Sequence, residues 1–336
     1  MTRTARKAFV LAGFLILNCW LPQAIAQGKA AVLLPGSIND QSWNALGYGV
    51  VIKLKSMGFD TAYSENVQPA DYIEALKDFA RRGYSPVIGH TGRFLSAAQR
   101  VGPDFPNVQF IVDSGSGGAG KNVGSLDYDN AHVGYLMGVL AARLTKTGKV
   151  GSVNGLEGLP NVVAQVGGFR QGVKATRPDV EVRVLYIKDM EDPAMAKEAA
   201  LALISGGADF VFGKLNAGQN GIIQAAAEKK VFATGRSFGH VEAAPQTVAA
   251  AIIERWDEMH AAAAKDVREG KFFGELKNFG YDAPSGPGAD LMYSKDRAFN
   301  PAVPAAAAAD VEAAKKRLAS KQLVLKVSKE DARGGI

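Results

Sequence analysis

Four histidines, two closely spaced aspartates, a glycine run ending in lysine and a tryptophan among amides and acids are the residues with chemical potential here. His90, His132, His240 and His260 form no H-x-x-x-H or H-x-H pair, so the convergent ligands of a zinc site are not offered. Gly115-Ser116-Gly117-Gly118-Ala119-Gly120-Lys121 satisfies both G-x-G-x-x-G and G-x-x-x-x-G-K. Both phosphate motifs need the glycine turn to feed a helix whose first amides meet the anion. The residues after Lys121 read instead as a strand, and Asn122 stands where a magnesium-holding hydroxyl belongs, so the run reads as a connecting loop. Asp127 and Asp129 lie two apart on a predicted strand and share a face. They suit an acid/base pair, or a hydrogen-bonding residue plus a helix N-cap ahead of Ala131, and the second is the simpler reading. With no G-x-S-x-G elbow and the lone cysteine at Cys19, nothing argues positively for catalysis.

More specific are the polar and aromatic residues that directly follow predicted strands. The first strand leads into Asn39-Asp40-Gln41-Ser42-Trp43-Asn44, which unites a carboxylate, amides and a large aromatic face. The third leads into His90-Thr91-Gly92-Arg93-Phe94. Later strands lead into segments ending in Asn161, into Lys214-Leu215-Asn216, and into Gly235-Arg236-Ser237-Phe238-Gly239-His240. In open α/β sheets, ligands sit beyond the carboxyl ends of strands. These segments are what a cleft between two lobes needs to hold a small polar heterocycle. Capping and turn chemistry explain Asp40, Ser42 and Asn161 taken singly. Trp43 is harder to explain that way, although a tryptophan opening a helix is core as often as wall.

The elements that must position these residues alternate. Short β-rich runs at 30–34, 59–64, 86–89, 108–113 and 123–126 are separated by amphipathic helices at 42–57, 70–82 and 94–101. The rhythm repeats with strands at 150–153, 182–187, 210–212 and 231–234, and helices at 131–144, 160–174, 193–204 and 218–228. Two successive sets of βα units imply two doubly wound α/β lobes with parallel sheets. The last third departs from it: a long helical segment from Pro245 to Arg268, a weak strand at 276–281, a Pro/Gly connection, an Ala-rich helix near 305–319 and a final strand at 323–327.

Length and composition bound the function. The chain has 336 residues, 47% hydrophobic and 21% charged, which suits two ordinary domains and excludes a disordered or fibrous chain. Its formal charge is +6, but Arg3, Arg6 and Lys7 sit in residues 1–26 with no acid, leaving an excess of three over the remainder. That small, unclustered excess does not argue for nucleic acid. The three bases precede an apolar run from Ala8 to Leu21 and then Ala24-Ile25-Ala26, the pattern of a signal peptide over 1–26 cut before Gln27. The run is short of the ~20 residues that span hydrocarbon. Lipid attachment at Cys19 is disfavoured by Asn18 before it and by the better site downstream. The expected product is periplasmic and free of cysteine.

With these residues in view, the chain resembles the basic membrane protein (BMP) family, the purine-nucleoside-receptor-like binding proteins of ABC importers. The family's D-x-S-F-N is matched by Asp40, Ser42, Trp43 and Asn44. Further matches, in the same order, are Tyr135-Leu136-Met137-Gly138, Gly148-Lys149-Val150-Gly151, the spacing of Pro160, Gly168, Phe169 and Gly172, and Gly207 to Phe212 followed by Asn220-Gly221. The resemblance implies a type I periplasmic-binding fold with a hinge of three crossovers. It implies a first lobe of 28–126 plus 248–272 and a second of 127–247 plus 273–336. It also implies a monomer without cofactor that serves a permease of the inner membrane and stacks a purine-type ligand on Trp43, with Asp40 and Asn44 hydrogen-bonding. His90, Phe94, Asp127, Asn161, Gln165, Asn216 and Ser237 complete the expected ligand set. Three departures bear on the ligand. The family's second aromatic is Gln165 here, its acid in G-V-D-S-D is Ser237, and a lysine of the later helix is Glu254. The acid and lysine are associated with ribose hydroxyls, so their loss favours a free nucleobase or a similar flat heterocycle. A nucleoside, riboflavin or another small solute is the alternative cargo. An exported nucleoside hydrolase using Asp127 or Asp129, or a binding protein coupled to a sensor, are the alternatives of other classes.

Overall fold

The computed structural model of the chain describes residues 28–39, 43–272 and 274–336. Asp40, Cys19 and the expected signal peptide lie outside the described residues. In chain order the elements begin with β1 (Lys29–Leu33), α1 (Trp43–Ser56), β2 (Asp60–Ser64), α2 (Tyr72–Arg81), β3 (Val87–Gly89), α3 (Leu95–Val101), β4 (Phe110–Asp113) and β5 (Val123–Tyr128). They continue through α4 (Asn130–Leu144), β6 (Lys149–Gly155), α5 (Pro160–Thr176), β7 (Glu181–Ile187), α6 (Pro193–Ser205), β8 (Phe210–Lys214), α7 (Gln219–Lys229) and β9 (Phe232–Gly235). The last are α8 (Phe238–Ala243), β10 (Val248–Glu254), α9 (Trp256–Arg268), β11 (Leu276–Phe279), β12 (Ala289–Met292) and α10 (Ala305–Ala319).

Among the described residues, two six-stranded sheets form, ordered β2-β1-β3-β4-β5-β11 and β7-β6-β8-β9-β10-β12. Every pairing is parallel except β10 with β12. Strands β3, β4, β5 and β8 are buried along their whole length, as parallel strands covered on both faces must be. The helices supply that cover. In α2 the buried residues are Tyr72, Leu76, Phe79 and Ala80, one stripe of a 3.6-residue period. The glycine run after β4 leads into β5, a strand, as its sequence context requires.

Helices α4 and α5 approach backbone to backbone. A Cβ on Gly134 would lie 2.1 Å from the Gln165 carbonyl oxygen, and one on Gly168 would lie 2.3 Å from that of Ala131. Only glycine admits that approach, and it mounts Gln165 and Asn130 on one rigid pair.

The last third differs from the sequence expectation. The segment 245–268 is not one helix: Val248–Glu254 is a strand between β9 and antiparallel β12, and only Trp256–Arg268 is helical. An apolar run such as Val248-Ala-Ala-Ala-Ile-Ile253 has no period that distinguishes a buried strand from a buried helix. Residues 248–254 therefore belong to the second sheet, and the chain crosses at Arg255 rather than near 248. It also stays in the first lobe longer, because β11 pairs with β5 there, and it returns through 280–288 rather than near 272. Residues 274–279 thus leave the expected second lobe. No strand forms at 323–327. That stretch lies against α5, with Gln171 Nε2 donating to the Lys326 carbonyl at 2.9 Å.

Candidate ligand-binding site

Trp43 opens α1 at the carboxyl edge of the first sheet, beside the point where β10 crosses into α9. Its indole lies face to face with His90, with ring centroids 4.2 Å apart and planes 18° from parallel, and meets Trp256 edge-on at 5.3 Å. The indole Nε1–H donates to the His90 carbonyl at 2.9 Å, and His90 Nε2 lies 2.8 Å from the Trp43 carbonyl. Trp43 is only partly buried, whereas His90 and Trp256 are fully inside. His90 follows β3, and its Nδ1 is 2.5 Å from Oδ2 of Asp113 at the end of β4. The other oxygen of Asp113 is 2.7 Å from Nε2 of His260 on α9. Burial alone would raise the Asp113 carboxyl, but the two imidazoles outweigh it and hold the group below the usual carboxylate range.

From Trp256 a polar belt continues into the second lobe. Trp256 Nε1 donates to Glu254 Oε2 at 2.8 Å, and Glu254 is also paired with Arg236. Tyr128, the last residue of β5 before the first crossing, donates to Glu254 Oε1 at 3.1 Å. Lys214 ends β8 and directs its ammonium at Gln165 Oε1 (2.6 Å), Asn130 Oδ1 (2.7 Å) and the Tyr128 hydroxyl (3.0 Å). Three acceptors match its three protons, which is how a buried ammonium is kept. Burial, with the Arg236 charge, still lowers Lys214 to about 8. Burial raises Asp127 to about 7, with Lys214 opposing and the Glu254 charge adding to the rise. Glu254 itself is held low, because Arg236 and Lys214 together outweigh its burial.

The expected site residues separate into those at this belt and those elsewhere. Trp43 and His90 sit at its first-lobe end, but His90 is behind the indole rather than facing a guest. Gln165 is in the belt as the acceptor for Lys214. Asp127 adjoins it, buried, and accepts from the Tyr128 amide at 2.9 Å. Asp129 is the N-cap of α4 and accepts from the His132 amide at 2.9 Å, so the capping reading of this pair holds. Phe94 is a correction: it is fully buried in the first lobe's own core, stacked on Tyr72 at 3.8 Å, where no guest reaches it. Asn44 Oδ1 accepts from the Gly36 amide at 2.9 Å and so shapes the loop after β1. Asn216 donates to Glu191, tying two loops of the second lobe. Ser237 caps α8, accepting from the His240 amide at 3.2 Å. Asn161 is partly buried in the first turn of α5, at the mouth of β6.

The expected ligand set omitted Tyr128, Asn130, Lys214, Arg236, Trp256 and Asp113. Lys214 and Arg236 already stood in the strand-end segments: one closes β8 and the other follows β9, at the end where ligands collect. Asp113 and His260 are 147 residues apart, and nothing in their local sequence announces that they meet.

A crevice of about 440 Å³ opens between the lobes beside this belt, lined by Leu46 and Gly49 of α1, by Glu254 and Trp256 of the crossing, and by Phe238 and Met292 of the second lobe. That volume falls in the ~300–1,000 Å³ range of small-molecule sites. Trp256, not Trp43, is the indole on its wall. Among the described residues, no set of His, Cys, Asp or Glu is placed to hold a metal ion, and no helix is long and apolar enough to cross a membrane.

A family model described as ABC transporter substrate-binding protein, PnrA-like (Bmp), matches residues 27–283. The chain belongs to this family. Its fold is the type I periplasmic-binding fold, and an ABC transporter solute-binding protein from Conexibacter woesei superposes with a TM-score of 0.72 at 27% identity, over 89% of this chain and 99% of that one. Among curated proteins, the transcriptional activator protein Med of Bacillus subtilis is 27% identical over 73% of this chain and 77% of its own length. A purine-binding protein of Brucella abortus is 27% identical over 63% of this chain, which spans 59% of that protein. The BMP membership expected from the order of loose motifs is therefore correct, and the family's role is substrate binding for ABC transporters.

Proposed function

We propose that this BMP-family protein binds a purine nucleobase or a similarly flat heterocycle between its lobes, outside the inner membrane, and delivers it to the permease of an ABC importer. The observation that carries the reading is the partly exposed indole of Trp43, fixed in orientation against Trp256, which walls the inter-lobe crevice next to a belt of hydrogen-bonding groups. Base–aromatic stacking contributes ~1–3 kcal/mol, and a guest that fails to match a buried polar group forfeits roughly 1–3 kcal/mol more. The preference for a base over a nucleoside is supported by where three departures from the family pattern sit. Gln165 accepts from Lys214, Ser237 caps a helix and Glu254 is paired with Arg236, so each is occupied by the protein itself. The relative named as purine-binding supports the same class.

Isothermal titration with adenine, hypoxanthine, guanine, adenosine, riboflavin and glucose tests this reading. Micromolar or tighter binding of a free base, with nucleosides at least tenfold weaker and no turnover, is the expected result. Binding of glucose alone, or release of base from adenosine, defeats it. A second reading keeps the guest and changes the output, because one relative is named a transcriptional activator. Loss of purine uptake on deletion of the gene favours import, and unchanged uptake with altered transcription favours regulation.

A further inference from the structure

Two histidines share the Asp113 carboxylate, and the surroundings of their remaining nitrogens differ. His90 has its Nδ1 2.5 Å from Asp113 Oδ2 and its Nε2 2.8 Å from the Trp43 carbonyl oxygen. A carbonyl oxygen only accepts, so Nε2 carries a proton, and the Nδ1–Asp113 contact fixes the other edge of the ring. His260 has Nε2 2.7 Å from Asp113 Oδ1, but among the described residues its Nδ1 has no hydrogen-bond partner. A proton there would be an unmet buried donor on a charged ring, so Nδ1 of His260 is left as a bare lone pair. All three side chains are fully buried.

We propose that His90, stacked against one face of Trp43 with its Nε2 proton on the Trp43 carbonyl, is the positioning residue for that indole. The inference rests on the reading that the guest meets Trp43. The groups facing His90 come from three elements. Asp113 from β4 meets its Nδ1, and α9 reaches the same carboxylate through His260. From α1 come the Trp43 carbonyl and indole, and Gly47, where a Cβ would lie 2.5 Å from His90 Cδ2. The missing side chain at Gly47 is what lets the helix close over the ring. An imidazole whose centroid lies 4.2 Å from that of the indole, nearly parallel to it, forms a favourable aromatic stack. The indole is thus clamped by its own Nε1–H to the His90 carbonyl, by the return bond from the imidazole and by the stack. It meets a guest without a rotamer search. Because His260 lies on α9, the same carboxylate joins this wall to the helix that begins at the crossing.

The test uses the ligand-free protein with ¹⁵N-labelled histidine. Long-range proton–nitrogen correlation at pH 7 should show His90 protonated at Nε2 and His260 protonated at Nε2 with a bare Nδ1. His90→Gln assigns the signals, and Asp113→Asn serves if that variant does not fold. A bare Nε2 on His90, or a proton on Nδ1 of His260, overturns the assignment. Positioning is read by 5-fluorotryptophan: the Trp43 fluorine line, single and sharp in the wild type, should split or broaden in folded His90→Gln, and adenine affinity should fall about tenfold. An unchanged line in a folded variant overturns the positioning role. If the wild type binds no purine, the functional reading fails separately, while the nitrogen shifts and the fluorine line still decide the role of His90.

Discussion

Glu254 and Trp256 stand on opposite sides of a lobe crossing and are bonded to each other: the Trp256 indole N–H donates to the Glu254 carboxylate at 2.8 Å, with Arg255 between them. Glu254 ends a strand of the second sheet and Trp256 opens a helix of the first lobe. The carboxylate also serves Arg236 and Tyr128, so the crossing is anchored by one buried anion with three donors.

Replacing that anion is therefore costly. Glu254→Gln leaves the Arg236 guanidinium without its counter-charge in a largely buried setting, and the expected loss is about 3 kcal/mol, near the range for breaking a buried pair from one side. The double variant Arg236→Met/Glu254→Met should recover at least half of it. Urea unfolding of the three proteins measures both, and equal losses in the single and double variants would show that the pair is not the cause.

Trp43 packs on His90 and Trp256, so its replacement tests stability together with the proposed binding. Trp43→Ala is expected to weaken adenine binding by ~10- to 100-fold, following the ~1–3 kcal/mol of a base stack. It should also lower stability by a further ~1–3 kcal/mol through the lost aromatic contacts and packing. Trp43→Phe keeps an aromatic face and should stay within about fivefold of wild-type affinity, the remainder reflecting the lost bond to the His90 carbonyl. Calorimetry and thermal melts on both variants separate the two effects.

The buried Asp127 gives stability a pH dependence of definite sign. Burial raises it to about 7 in the fold, above the ~3.9 of a free aspartate, so the folded state holds the proton more tightly than the unfolded chain does. Its contribution is complete below pH ~4 and is lost as pH rises through 7. Asp127→Asn removes that loss. Melting temperatures of variant and wild type should match near pH 4 and diverge in the variant's favour up to pH 7. A gap that does not change with pH would show that the carboxyl is not titrating there.

Gly168→Ala tests the seam between α4 and α5. The added methyl would lie 2.3 Å from the Ala131 carbonyl oxygen, a backbone atom that cannot rotate aside. A loss of ~1–3 kcal/mol is expected, as for other overpacked interiors. Gly49→Ala on α1, where the methyl meets nothing within 4 Å, is the control and should melt no lower than wild type.

The architecture was legible where pattern and length agree. Short strands alternating with stripes such as Tyr72, Leu76 and Phe79 specify βα units, and the doubly wound lobes result from them. Legibility ended where an apolar run lost its period, as at Val248–Glu254, and the crossing point was misplaced with it. For the site, Trp43 stood out because a large aromatic ring sat among polar residues at a strand end. Phe94 stood out for the same reason and is core, because the short turn after Gly92 directs its ring inward onto Tyr72. The belt around Lys214 and Glu254 depends on contacts such as Lys214 to Asn130, 84 residues apart, which no local spacing encodes.

The glycine-lined contact of α4 with α5 has an evolutionary consequence. Because the two main chains already touch, neither helix can slide or tilt to admit a bulkier cargo. Any adjustment there must be written in the side chains the pair carries, and a new residue at position 165, which projects from that stiff keel into the polar belt, would be felt first by the ammonium of Lys214.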